Sequence, residues 1–150
     1  MNNGKMELVF VPENELCAAC KLVRELAKAD AKQTRAAAKP LQGTIIRNTH
    51  FHHDVNITGT SIREWTNQPH KHFKAKNQML LDINNVFSNA AYLGTTDNHK
   101  GIKRVVQSHI FEVEVSGEKS LLIVREYDWG EYVLHSISDS PELYNKIKKE

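Results

Sequence analysis

The run Gln68-Pro69-His70-Lys71-His72-Phe73-Lys74-Ala75-Lys76 crowds five basic or titratable side chains into nine positions. Pro69 suits a first helical position, so the run reads as the opening turns of a helix. Cations placed there oppose the helix dipole, which favours anions at the N-terminus. A docked phosphate would reverse that conflict, because free backbone N–H groups and cations would then act together. Helical spacing sets His72, Lys76, Met79 and Ile83 on one face, so imidazole and ammonium extend an apolar stripe. The plainer arrangement puts Lys74 and Lys76 on a solvated face and leaves His72 to cap the core.

Two other groups could do chemistry. Arg125 follows Leu121-Leu122-Ile123-Val124 and shares a strand face with Leu121, Ile123 and Tyr127. His109 shares a face with Phe111, Val113 and Val115, and His135, Ser136 and Ser138 close the last strand. Alternation sets Ser136 and Ser138 on one side and His135 on the other, so Ser136 and His135 are not expected in the same site. The cluster His50-Phe51-His52-His53-Asp54 offers nitrogen and oxygen donors but no signature such as HExxH. Cys17 and Cys20 form half a zinc motif with no second pair, and read as small apolar residues of a helix. No metal and no cofactor is assigned.

The elements that must position these groups come in two halves. Glu13 to Ala38 reads as a long helix, with Leu16, Cys20, Val23 and Ala27 at helical spacing. Lys39-Pro40 stops it, and its last turns, 32–38, carry little apolar stripe and are expected to project into solvent. Residues 43–58 read as two short strands or an extended loop. Ser61-Ile62-Arg63-Glu64 fits a capping box opening a short helix, and a second main helix runs from Pro69 to about Ala90. The period then becomes alternating: Val105–Val115, a turn at Ser116-Gly117-Glu118-Lys119, Leu121–Tyr127, and Glu131–Ser138. Tyr92-Leu93-Gly94 adds an edge strand, and Asp139-Ser140-Pro141 caps a last helix over 142–149. Helices followed by an antiparallel meander make an α+β fold.

A chain of 150 residues is one domain by length. With 25% charged and 40% hydrophobic residues and a mean hydropathy of −0.51, it is of the soluble globular class. No apolar window is long enough to span a membrane, and residues 1–7 lack the apolar core of a secretory signal. The net charge of +2 excludes a non-specific nucleic-acid coat. Residues 41–80, however, hold five Lys/Arg against two Asp/Glu and five of the eight histidines, a local field for an anionic partner.

Several of these runs resemble a known group. Asn56-Ile57-Thr58-Gly59, Asn67-Gln68-Pro69-His70-Lys71-His72, Tyr92-Leu93-Gly94, Asp97-Asn98-His99-Lys100 and the strands ending in Tyr132-Val133-Leu134-His135-Ser136-Ile137-Ser138 are similar to domains of phage and mobile-element proteins with the barnase–EndoU–colicin–RelE-like (BECR) nuclease fold. The resemblance covers residues 56–140, and leaves 1–40 as an N-terminal helical extension of the single domain 1–150. It implies helices packed on an antiparallel sheet of about four strands, and a metal-independent, toxin-like RNA endonuclease acting by phosphodiester transesterification. His70 or His72 would serve as general base or acid. Lys76 and Arg125 would hold the phosphate, with Ser136 as an orienting hydroxyl. Lys71, Lys74, His99, Lys100 and Ser138 would bind substrate. The implied partners are RNA, tRNA included, and a cognate inhibitor protein, with no membrane, in a bacterial cytosol. The alternative is a non-catalytic RNA-, nucleotide- or protein-binding module on the same fold. The nuclease reading requires the start of the middle helix to converge with Arg125 and Ser136 on one concave patch.

Overall fold

Alternation in the C-terminal half builds most of a sheet, and the histidine-rich segment before it supplies the rest. The computed structural model describes residues 18–67, 71–98 and 100–148. In chain order the elements are α1 (Ala18–Ala38), a 3-10 turn (Lys39–Leu41), β1 (Ile45–Asn48), β2 (Phe51–Asn56), α2 (Gly59–Asn67), α3 (Phe73–Leu81), α4 (Ile83–Asn89), β3 (Ala91–Asp97), β4 (Val105–Val115), β5 (Glu118–Tyr127), β6 (Tyr132–Ser138) and α5 (Pro141–Lys146).

The α+β class holds, but the sheet has six strands rather than about four, in the order β1-β2-β6-β5-β4-β3. Strands β3 to β6 form the expected antiparallel meander. Residues 43–58 add the β1–β2 hairpin, and β2 joins β6 in parallel through Val55 opposite Tyr132 and Asn56 opposite Val133. Phe51, Val55 and Ile57 are buried, and this fixes the hairpin against the sheet.

One face of the sheet carries the core. Leu122 and Val124 of β5, Phe111 of β4 and Leu134 and Ile137 of β6 pack with Trp65, Leu80, Ile83 and Phe87 from α2, α3 and α4. Burying each such side chain is worth about 1.5–3 kcal/mol. The Trp65 indole donates to the Lys76 carbonyl at 3.0 Å, and the Asn48 amide donates to the Phe87 and Ala90 carbonyls at 2.6 and 2.8 Å. These bonds tie α2 to α3 and the end of α4 to β1.

Several helix boundaries differ from the sequence reading. The expected helix over 69–90 is broken at Asp82, whose backbone leaves the helical region (φ −114°, ψ 28°). Ile83 therefore begins a separate helix and no longer extends the His72–Lys76–Met79 face. Helix α2 starts earlier than Ser61. The Thr58 and Ser61 hydroxyls each accept a hydrogen bond from the other's backbone N–H, at 3.1 and 3.0 Å, so the capping box is Thr58/Ser61 rather than Ser61/Glu64. In α1 the exposed end is the first half, with Leu22, Val23 and Leu26 at 50–56% exposure, while Ala31, Thr34 and Ala38 are buried. The expected solvent-facing end at 32–38 is thus the anchored one. The start of that helix at Glu13, and Cys17, lie outside the described residues. Among the described residues no helix is long and apolar enough to cross a membrane.

Candidate functional site

Side chains on the other face of the sheet enclose a cleft of about 630 Å³. Along β5, Leu122 and Val124 point into the core, so Ile123 and Arg125 point the other way and line the cleft. Ser108 and Ile110 of β4, Thr96 of β3 and Ser136 and Ser138 of β6 complete the floor. One wall is formed by Asn98, Lys100 and Ile102. The Asn98 side chain folds this loop by accepting from Ile102 N–H at 3.0 Å and donating to the Ile102 and Val105 carbonyls at 2.7 and 3.0 Å. The opposite wall is α5, with Glu142, Leu143 and Lys146.

The last strand departs from simple alternation where it matters. Ile123 pairs with Ser136 and the next residue, Val124, pairs with Leu134, so His135 is an extra residue in a β-bulge. The bulge brings His135 and Ser136 together on the cleft, correcting the expectation that they point apart. The sequence carries a signal for this: Leu134 and Ile137 both face the core, and an interval of three is impossible on a regular strand.

The electrostatics of the cleft favour an anion. Asp97 is tied to Lys148 at 2.9 Å and Asp139 to Lys76, which offsets two of the three carboxylates that line it. Among the described residues Lys100, Arg125 and Lys146 have no hydrogen-bond or ion-pair partner. Burial, and then the neighbouring charge of Arg125, pushes the His135 imidazole down to about 4, with Glu64 opposing and Lys100 reinforcing. His135 is therefore neutral at physiological pH, a proton acceptor beside two cations.

Residues 25–144 match a known family. The chain belongs to the family described as large polyvalent protein-associated domain 3. The match takes in α1 from Glu25 onward and the whole sheet. No curated protein and no solved structure matches the chain.

Within this domain-3 chain the sequence-predicted site residues divide into two places. Arg125, Ser136, Ser138 and Lys100 meet in the cleft. Those of the middle helix do not. Lys76 is wholly buried and forms an ion pair with Asp139, approaching it from the helix-bearing side, where Ser120 also bonds Asp139 at 2.6 Å. His72 and Lys71 bind the Glu118 carboxylate at the start of β5 at 3.2 and 3.1 Å, and hold it below the usual carboxylate range. His72 sits in the left-handed region (φ 58°) just ahead of α3. Lys74 is exposed and does not line the cleft. The expected convergence of His72 and Lys76 with Arg125 and Ser136 is therefore not formed, because local carboxylates capture the helix-start cations. His70 and His99 lie outside the described residues.

The remaining histidines are spread out. His53 stacks on Tyr132 at 4.2 Å, and Asp54 pairs with Arg47 at 2.6 Å. His109 is buried on the helix-bearing face between the Tyr92 hydroxyl at 2.9 Å and Glu126 at 2.7 Å. Burial alone would raise the Glu126 pKa, but hydrogen bonds from Gln107 and His109 outweigh it and hold the carboxyl low. Among the described residues no three His, Cys, Asp or Glu side chains gather as a metal site. His135, Ser108 and Lys146 are among the cleft residues that sequence reasoning did not assign.

Proposed function

We propose that the cleft binds and cleaves an RNA phosphodiester by transesterification, as a BECR-like, toxin-type nuclease domain of a phage or mobile-element polyvalent protein. The convergence with the middle helix is not formed, so this reading rests on a different set of groups: among the described residues, three unpartnered cations and one neutral imidazole gather over a floor of serine hydroxyls. His135 takes the proton from the RNA 2′-hydroxyl as that oxygen forms its bond to phosphorus. Arg125 and Lys100 stabilise the crowded phosphorane, Ser136 and Ser138 orient its oxygens, and the P–O5′ bond breaks as the leaving oxygen takes a proton from the Lys146 ammonium or from water. A bound phosphate offsets the charges of Arg125 and Lys100, two of the causes that depress His135. Substrate thereby makes the imidazole a stronger base than it is in the free protein.

A second reading rests on a specific observation: among the described residues the cleft holds one imidazole, and no second one stands opposite it as an acid. This favours a domain that holds RNA, a nucleotide or a phosphorylated partner without turnover.

One experiment separates the two. RNA incubated with the protein in EDTA should yield fragments with 2′,3′-cyclic phosphate ends. His135→Ala and Arg125→Ala should each slow cleavage by about 10²-fold or more. Intact RNA with salt-sensitive binding selects the binding module, and RNA that is neither bound nor cut sinks both.

A further inference from the structure

Beyond Arg125, strand β5 continues on the cleft side to Tyr127, two residues and about 7 Å further along, within reach of one nucleotide. Tyr127 pairs with Val105, which lines the cleft. Its ring stacks on Trp129 in the following turn, centroids 4.7 Å apart and planes 26° apart. Trp129 is 55% exposed, the largest of the exposed apolar side chains among the described residues.

This ring is held still as well as exposed. Its indole N–H donates to Glu131 at 3.0 Å. The Arg104 guanidinium lies 5.4 Å from the indole centroid and is itself held by Asp128 at 3.2 Å. The turn beneath is closed by Tyr127 N–H to the Glu131 carbonyl at 2.8 Å, Gly130 N–H to the Tyr127 carbonyl at 2.9 Å and Asp128 N–H to the Arg104 carbonyl at 2.9 Å. Arg104 adopts a left-handed conformation (φ 70°), which strains a non-glycine residue. Core packing does not account for a large flat ring fixed half in water, with a guanidinium over it. Trp129 lines a second recess with His52, His53 and Asp54, joined to the anion cleft through Tyr127 and its partner Val105, and pre-organised aromatic and guanidinium groups of this kind are what a single strand of nucleic acid uses for its bases.

We propose that Trp129, backed by Tyr127 and Arg104, is a stacking ledge for an unpaired nucleobase adjoining the phosphate held in the cleft. This rests on the cleft's holding a nucleic-acid phosphate. The ledge takes single-stranded substrate and discriminates against duplex, whose bases are already stacked on one another.

The chain has two tryptophans, and Trp65 is fully buried, so a fluorescence change on ligand addition reports Trp129. The probe is a short 2′-O-methyl oligoribonucleotide, which binds but lacks the hydroxyl that transesterification needs, paired with an abasic strand of equal length and charge. Quenching by the first and not the second is expected. Trp129→Ala should weaken oligonucleotide binding about tenfold, and Trp129→Phe should restore most of it. Equal affinity of wild type and Trp129→Ala for the base-bearing strand, or equal quenching by the abasic strand, overturns the ledge while leaving the phosphate cleft standing. Failure of both strands to bind at low salt overturns the cleft reading, and the ledge with it.

Discussion

Lys76 is buried, yet among the described residues its ammonium is neutralised only by Asp139, a carboxylate that keeps 38% of its side chain in water. The pair fastens α3 to the end of β6, next to the serines of the cleft. The asymmetry in burial makes the two halves unequal. Removing Asp139 strands a buried charge, at a cost of about 3–5 kcal/mol. Removing Lys76 leaves a carboxylate that water and Ser120 can still satisfy. Asp139→Ala should therefore lower the urea midpoint more than Lys76→Met does, with the m-value unchanged. Equal losses, or the reverse order, would show that the ammonium is hydrated and the burial misleading. Lost cleavage in a Lys76 variant would then reflect the fold rather than chemistry at phosphorus.

Gly94 makes room for the C-terminal strap. A Cβ at this residue (φ 138°) would lie 2.2 Å from the Lys148 carbonyl oxygen, where Thr95 and Lys148 exchange backbone hydrogen bonds of 3.1 and 2.7 Å. The obstacle is backbone and cannot swing aside. Gly94→Ala is expected to destabilise by about 1–3 kcal/mol and to detach residues 141–148, which form one wall of the cleft. Hydrogen exchange should show faster loss of protection at Lys148 and Thr95 than in β4 and β5. Unchanged protection there would mean that the strap is not held by this contact.

The strands of the C-terminal half were legible because burial on one face writes a period of two into Phe111, Val113 and Val115. The β1–β2 hairpin was not: His50, His52 and His53 break the apolar pattern, and its place in the sheet depends on a two-residue parallel pairing with β6. The site was half legible. Arg125, Ser136 and Ser138 could be placed by alternation, and Lys100 by the family resemblance alone. His135 was set aside by the same alternation, because a bulge shifts register without a glycine or proline to mark it. His72 and Lys76 followed a sound helical-face argument. Their partners, Glu118 and Asp139, lie 46 and 63 residues further on, a distance at which a helical pattern says nothing.

The start of α2 gives a compact test of capping. Thr58 accepts from Ser61 N–H, and Ile62 N–H bonds the Thr58 carbonyl at 3.2 Å, so Thr58 is the N-cap. Thr58→Ala should cost about 1 kcal/mol. Ser61→Ala should cost more, because the Ser61 hydroxyl also donates to the Leu134 carbonyl in the buried seam between α2 and β6. Glu64→Ala should leave helix capping unchanged. A larger stability loss from Glu64→Ala than from Thr58→Ala would return the cap to the position the sequence pattern indicates.

His135 links the cleft to pH. Its folded-state value of about 4 lies below the ordinary 6.5, chiefly through burial and then through the charge of Arg125. The unfolded chain therefore binds a proton that the folded chain refuses between those two values. Folding stability should rise with pH across that window and be flat with respect to this group on either side of it. Because the ring is partly open to water, screening reduces the effect to about 1–2 kcal/mol. Carboxylates held low by partners, such as Glu118 and Glu126, also lose stability towards acid, so the diagnostic quantity is the difference between wild type and His135→Gln. That difference should grow in favour of the variant as pH falls from 6.5 to 4. Arg125→Gln should shrink it by removing a depressing charge. A difference that stays constant with pH would mean that the imidazole titrates alike in the folded and unfolded chain, and that neither burial nor Arg125 depresses His135.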